Sequence, residues 1–237
     1  ALFRPDANAA RFNASAQRMA MAPLPEGLFV DACKELIRAD ADWFPSADGG
    51  ALYLRPFMYA SEAFLGVKPS AEYHFLVIAS PVGNYFKSGT PAVSLWVSED
   101  YSGNYAASLA AQQQAIAMGF DQVVFLDAAQ RRWIEELGGM NLFFVFADGS
   151  IITPPLTGTI LPGITRDTLI QLARESGLTV REEPYAIDQW QADSESGRLT
   201  ETFACGTAAV VTPVGKVTRG DASFTIGAGG PGQVTAM

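Results

Sequence analysis

Apolar residues recur at helical spacing from the start of the chain. In RPDANAARFNASAQRMAM, which begins at Arg4, Phe12, Ala16 and Met19 share a face and Pro5 suits a first turn, so a helix is predicted. LPEGLFVDACKELIRAD predicts a second helix, with Leu28, Ala32 and Leu36 on one face and Lys34, Glu35 and Arg38 outward. The pattern then changes to shorter runs rich in aromatic and branched residues. GGALYLRPFMYAS and EYHFLVIASP, bounded by Gly, Pro and Ser, read as strands. Together these four elements make a small α+β unit.

Pro, Gly, Ser and Asn concentrate in PVGNYFKSGTP, residues 81–91, which is the best linker candidate. The expected organisation is a small unit over residues 1–83, a linker over 84–92 and a larger unit over 93–237. In the larger unit AVSLWVS predicts a strand, Ala106 to Met118 a helix closed by Gly119, and QVVFLD a further strand. A strand pair follows in ELGGMNLFFVFADGSIITP, turning at Asp148-Gly149. A helix starts after LPGITRD and stops at Gly177, and TVREEPYA and ETFACGTAAVVTPVGKV add strands. GAGGPG near the end is a loop.

Composition narrows the function. The net charge is −9 and no basic run exceeds Arg131-Arg132, so nothing offers the positive stripe that nucleic acid requires. No apolar run approaches the ~20 residues of a membrane span, and the sequence reads as a soluble, cytoplasmic protein. Cys33 and Cys205 are the only cysteines and His74 the only histidine, which argues for neither a disulfide framework nor a zinc site. His74 sits in an apolar strand and reads as a packed or edge residue, and a reducing compartment is the simplest expectation.

Four segments carry candidate chemistry. In LPGITRD, Gly163 frees the backbone, Thr165 can cap, and the following helix presents N–H groups and a positive dipole end to an anion; an ordinary capped helix is the alternative. In FACGTAAVVTP, Gly206-Thr207 ends a strand as an anion turn or a simple bulge. WIEELGGMNLFF sets Glu135 and Glu136 beside a Gly pair in an apolar frame, where a desolvated carboxylate needs a cation or N–H partner. In LYLRPF, Arg55 shares a strand face with Tyr53 and wants a carboxylate or carbonyl partner.

Taken in order, Arg11, YLRP, GNYAASL, EELGGMN, LPGITRD and CGTAA resemble the branched-chain amino acid aminotransferases of pyridoxal-phosphate fold type IV, in the longer form found in bacteria such as actinomycetes. The resemblance covers essentially the whole chain. It implies an α+β / α/β enzyme of two domains, a small α+β domain and a larger pseudo-barrel domain with the active site between them. Pyridoxal 5′-phosphate is the implied cofactor. Its phosphate is held by Arg11, the backbone of Ile164 and Thr165, and the Thr207 hydroxyl. Glu136 pairs with the ring nitrogen, although a turn shifted by one residue would put Glu135 there, and Tyr105 bonds the ring oxygen. Tyr53 and Arg55 organise recognition of the substrate carboxylate, with backbone N–H groups from Thr207 and Ala208. Tyr85 walls an apolar pocket. Leu65 and Val67, in SEAFLGVKP, match a loop that enters the partner subunit's pocket, which implies a homodimer.

The implied reaction is ping-pong amino transfer between leucine, isoleucine or valine and 2-oxoglutarate, giving glutamate. Within the same fold a D-amino acid aminotransferase or an aminodeoxychorismate lyase would share the phosphate cup and Glu136; Tyr53-x-Arg55 and FLGV match the branched-chain group instead. GTAAVVTP has Ala209 and Thr212 where mammalian members carry a Cys-x-x-Cys switch. One element is missing. The family's Schiff-base Lys is expected between Tyr101 and Gly103, yet the only lysines are Lys34, Lys68, Lys87 and Lys216. Either a stretch is omitted there, or the chain is a Lys-less relative that binds ligand without transaminating; omission is the reading taken.

Overall fold

The computed structural model describes residues 2–46, 50–83, 92–101 and 108–237. It divides into two compact units, Ala1–Tyr85 and Phe86–Met237. The expected linker at 84–92 lies, apart from Ala92, outside the described residues.

In the first unit α1 spans Pro5–Arg18 and α2 Glu26–Ala39, and β1, Ala51–Ala60, pairs antiparallel with β2, Tyr73–Val82. The two-residue period sends Leu54, Phe75 and Val77 towards the helices. There Phe12, Phe29 and Phe75 meet with ring centroids 5.4, 5.7 and 6.0 Å apart. The buried face of α2 is Phe29, Val30 and Cys33, one residue out of step with the expected Leu28, Ala32 and Leu36 face. Leu28 is exposed. Both registers satisfy helical spacing; the aromatic contact to Phe12 and Phe75 selects the one that buries Phe29.

The second unit is built on one mixed sheet. Its strands are β3 (Val93–Val97), β4 (Gln122–Leu126), β5 (Ile134–Leu137), β6 (Asn141–Phe146), β7 (Ile151–Thr153), β8 (Val180–Glu182), β9 (Leu199–Gly206), β10 (Val210–Arg219) and β11 (Ala222–Thr225). The spatial order is β5-β4-β3-β10-β9-β6-β7-β8, with β11 on β10. β3 runs parallel to β4 and β10, and β7 to β8; the other pairs are antiparallel. Helix α3 (Ser108–Ala117) packs Ala111 and Ala115 on β4, α4 spans Ile164–Glu175 and α5 Ile187–Glu195.

Continuous apolar strands such as NLFFVF indicate a sheet covered on both faces. In β6, Leu142, Phe144 and Phe146 enter one core with Tyr185, Trp190 and Phe224, while Phe143 and Val145 enter the other beneath α4. Trp190 is fully buried, edge-on to Phe144 at 5.1 Å and to Phe224 at 5.6 Å. It anchors α5, a helix the sequence pattern does not announce. Among the described residues no helix is long and apolar enough to cross a membrane.

Candidate functional site

Strand β5, just before the tight turn into β6, carries the two acids. Glu135 accepts from the Thr159 hydroxyl at 2.6 Å, and Glu136 Oε1 accepts from the Leu161 backbone N–H at 2.7 Å. Glu136 is half-buried, and its pKa is pushed up to about 7, first by burial and then by the neighbouring Glu135, against the lowering effect of the Leu161 N–H. Among the described residues no cation pairs with it. This is the desolvated carboxylate anticipated from WIEELGG.

Leu161 belongs to the chain that leads into α4. Its carbonyl accepts from Asn141 Nδ2 at 3.1 Å, and Asn141 opens β6. Gly163 is the N-cap of α4, with φ −64° and ψ 133° and no side-chain cap. Two expectations are corrected here. Thr165 does not cap, because the helix begins at Ile164 and places Thr165 within its first turn. Gly163 has an ordinary backbone, so its service is space: a Cβ there would lie 2.2 Å from Asn141 Oδ1. The helix therefore offers backbone N–H groups from a small-residue approach, the arrangement that receives an anion. Arg166, also in that first turn, is buried and spans from the Pro154 carbonyl to Glu182, each at 2.9 Å, fixing the helix to β8.

The third piece is the β9–β10 turn. Asn141 is in register with Cys205, so the turn Gly206-Thr207-Ala208-Ala209 follows directly beside the start of β6. A Cβ on Gly206 would meet Met140 Cγ at 3.2 Å, so this glycine keeps the two hairpins close. Thr207 and Ala208 are exposed. Val210 closes the turn at φ 52°, a left-handed backbone that a β-branched residue resists, which marks the turn as held by its surroundings. Asn141 thus neighbours the Leu161 loop held by Glu136, the N-cap Gly163 of α4 and the end of β9 that leads into the turn. Cys205 is buried in the core beneath α4, its thiol pushed up to about 12 by desolvation.

Within the first unit the expected residues also cluster. Burial lowers the pKa of the Arg11 guanidinium, and Tyr53 acts on it in the opposite sense. Arg11 donates to Asn8 Oδ1 at 3.1 Å, and the Arg55 guanidinium lies 5.3 Å over the Tyr53 ring. Arg55, on the exposed strand face with Tyr53, is held by an aromatic ring there. The loop after β1 is pinned by Glu62, which takes Lys68 Nζ at 2.8 Å and the Ala71 N–H at 2.7 Å. Between these anchors Leu65 and Val67 stand fully exposed around Gly66 at φ 143°.

The family model for class IV amino-transferases matches residues 1–217. The chain belongs to the class IV aminotransferases. It is 52% identical to a branched-chain-amino-acid aminotransferase of Mycolicibacterium smegmatis, over 98% of this chain and 68% of that one. Among solved structures, the branched-chain amino acid aminotransferase of Escherichia coli superposes with a TM-score of 0.80 at 29% identity, covering 99% of this chain and 76% of that one. The branched-chain amino acid aminotransferase of Thermobaculum terrenum in its PLP-bound form gives a TM-score of 0.77 at 26% identity, over 98% of this chain and 75% of that one. The fold is that of the fold type IV enzymes, as the motif order implied.

In this class IV aminotransferase the positions of Tyr85, Tyr105 and the junction between Tyr101 and Gly103 lie outside the described residues, Tyr101 itself excepted. The match to the M. smegmatis relative runs over 250 residues, whereas 98% of this 237-residue chain is about 232, so it spans about 18 positions that this chain does not fill. Of the lysines, Lys34 pairs with Asp31 on α2, Lys68 with Glu62, and Lys216 is exposed on β10. Sequence reasoning missed Asn141. Its only signal is a polar residue at the head of a strand that is otherwise wholly apolar.

Proposed function

We infer that this chain is a branched-chain amino acid aminotransferase, moving amino groups between leucine, isoleucine or valine and 2-oxoglutarate, with pyridoxal 5′-phosphate as cofactor. One observation carries the reading: a half-buried acid and the open end of a helix meet in one short loop, where Leu161 donates to Glu136 and Gly163 is the N-cap of α4. A phosphorylated pyridine has a dianion at one end and a basic nitrogen at the other, and the residues fit it. The uncapped N-terminus of α4 suits the phosphate, and Glu136, raised to about 7 chiefly by burial, suits a protonated ring nitrogen.

The cofactor, when bound, supplies the electron sink that lets the substrate's α-proton leave. The chain's own residues bind and orient. Glu136 holds the proton on the ring nitrogen. Ile164 and Thr165 N–H groups, the Thr207 hydroxyl and Arg11 take the phosphate, and Tyr105 bonds the ring oxygen. Tyr53, Arg55 and the Thr207-Ala208 backbone orient the substrate carboxylate, with Tyr85 on the side-chain pocket. A lysine expected in a stretch between Tyr101 and Gly103, and not among the 237 residues, would take and return the α-proton.

Protein loaded with pyridoxamine 5′-phosphate and given the 2-oxo acids of leucine, isoleucine and valine is expected to yield the L-amino acids, read by chiral chromatography. D products would move the assignment to the D-amino acid group. Binding without any product would make the chain a non-catalytic relative.

The chain also forms a homodimer in which Leu65 and Val67 reach the partner's pocket. Two fully exposed apolar side chains on a pinned loop support this, because such tips are otherwise a solubility cost. Sedimentation is expected to give twice the chain mass; a monomer at micromolar concentration refutes it.

A further inference from the structure

We propose that Asn141 is the positioning residue that fixes Glu136 and the N-terminus of α4 relative to each other, so that both ends of one phosphorylated pyridine are engaged together. The inference rests on the cofactor reading above. It starts from the segment between β7 and α4, PPLTGTILPG, which has no helix or strand of its own. Ile160 is buried and anchors the middle of that segment, but the Leu161 side chain is 49% exposed, so packing does not orient the Leu161 peptide groups. Polar ties do. The Leu161 N–H donates to Glu136 and its carbonyl accepts from Asn141, so two side chains that flank the Gly138-Gly139 turn grip one residue from both sides.

Asn141 is itself 6% exposed and fixed at the first position of β6, in register with Cys205. Its Oδ1 fills the space where any side chain at residue 163 would begin. The same amide therefore ties the loop on one side and wedges against the helix start on the other. The chemistry requires this residue type. Aspartate would set a carboxylate against the Leu161 carbonyl, and an apolar residue would leave that carbonyl without its donor.

The consequence reaches Glu136. Without Asn141 the Leu161 carbonyl loses its donor and the loop one of its two ties, so the N–H that favours the ionised acid is held less firmly, while desolvation and the charge of Glu135 remain. The acid then holds its proton to higher pH and pairs less well with a ring cation.

The test uses pyridoxamine 5′-phosphate, whose binding needs no Schiff-base lysine, and measures its Kd by fluorescence titration between pH 5.5 and 9 for wild type, Asn141→Ala and Asn141→Ser. Both variants are expected to raise Kd about tenfold at pH 8, the scale of losing an orienting partner. In both, the acid-side fall in affinity is expected to move to higher pH than in wild type, whereas a merely structural role would weaken binding evenly across pH. Wild-type binding with variants that match it, or that lose affinity evenly with an unmoved acid limb, overturns the proposal. Failure of wild type to bind the probe at all would instead overturn the cofactor reading, and this inference with it. Serine keeps a polar group in the buried position and serves if alanine does not fold.

Discussion

Glu136→Gln protein, free of cofactor, is expected to melt about 4–8 °C above wild type at pH 8, and to bind pyridoxamine 5′-phosphate on the order of a hundredfold more weakly. The stability gain follows from the proton balance. Glu136 has a pKa of about 7 in the folded chain against 4.5 as a free side chain, so between those values the folded state holds a proton that the unfolded state has released. Stability therefore falls as pH rises through that window, and the cost is complete above about 7. Allowing for the solvent that reaches a half-buried group, the ionised acid costs about 2 kcal/mol. Glutamine carries no charge and keeps an oxygen for the Leu161 N–H. Its advantage is expected to vanish below about pH 4.5, where both states of the wild type are protonated.

The binding loss is the other side of the same fact. A protonated ring nitrogen would relieve the strain that glutamine removes in the empty protein, so stability without cofactor and affinity for it trade against each other at this residue. Wild-type affinity for the probe is expected to decline below about pH 7, where binding a protonated ring must displace the proton of Glu136. That decline should be absent from the glutamine variant. Equal melting of variant and wild type at pH 8, or a larger effect from Glu135→Gln, would remove Glu136 from the role. Each acid accepts one hydrogen bond, Glu135 from the Thr159 hydroxyl and Glu136 from the Leu161 N–H, and the tie of Glu136 to the loop that opens α4 favours it for the role.

The strands were the most legible part of the chain. QVVFL and NLFFVF read as buried strands because alternate residues enter two separate cores, and no loop has that composition. Helix α5 was not legible. IDQWQADSE buries only Ile187, Trp190 and Asp193, and the decisive contacts of Trp190, with Phe144 and Phe224, come from residues far along the chain. The α2 face went one residue astray for a similar reason, since spacing permits either register and Phe75 of a later strand decides.

The site divides along the same line. Acids beside a Gly pair and a Gly before a helix are local signals, and they led to Glu136 and α4. Which residue holds them together is a long-range matter: Asn141 meets Leu161 20 residues on and Cys205 across a strand pair. Thr165 was misread as a cap because hydroxyl residues often cap helices, yet Asn141 occupies the space that leaves only glycine at the N-cap.

A polypeptide made of the 237 residues alone is expected to bind pyridoxamine 5′-phosphate yet to form L-leucine from its 2-oxo acid about 10²–10⁴-fold more slowly than a chain with a lysine restored ahead of Gly103. Delivering a proton to the α-carbon, like removing it in the reverse direction, needs an acid–base group held over the reacting carbon. In the proposed site Glu136 would be committed to the ring nitrogen, and the sequence has four lysines. Lys34 and Lys68 are engaged in ion pairs, and Lys216 stands exposed on β10. A missing positioned amine has a specific signature: methylamine, small enough to enter the vacated space, should restore part of the rate in proportion to its unprotonated fraction, and so more at pH 9 than at pH 7. A larger amine should restore less. Full speed from the 237 residues without added amine would mean that one of the four lysines is the base, and Lys216→Ala would be the first variant to ask which. The intact mass of the protein from its own host bears on the same point, because a value above that of the 237 residues, with a peptide ending in lysine before Gly103, accounts for the positions that its relatives carry and this chain does not.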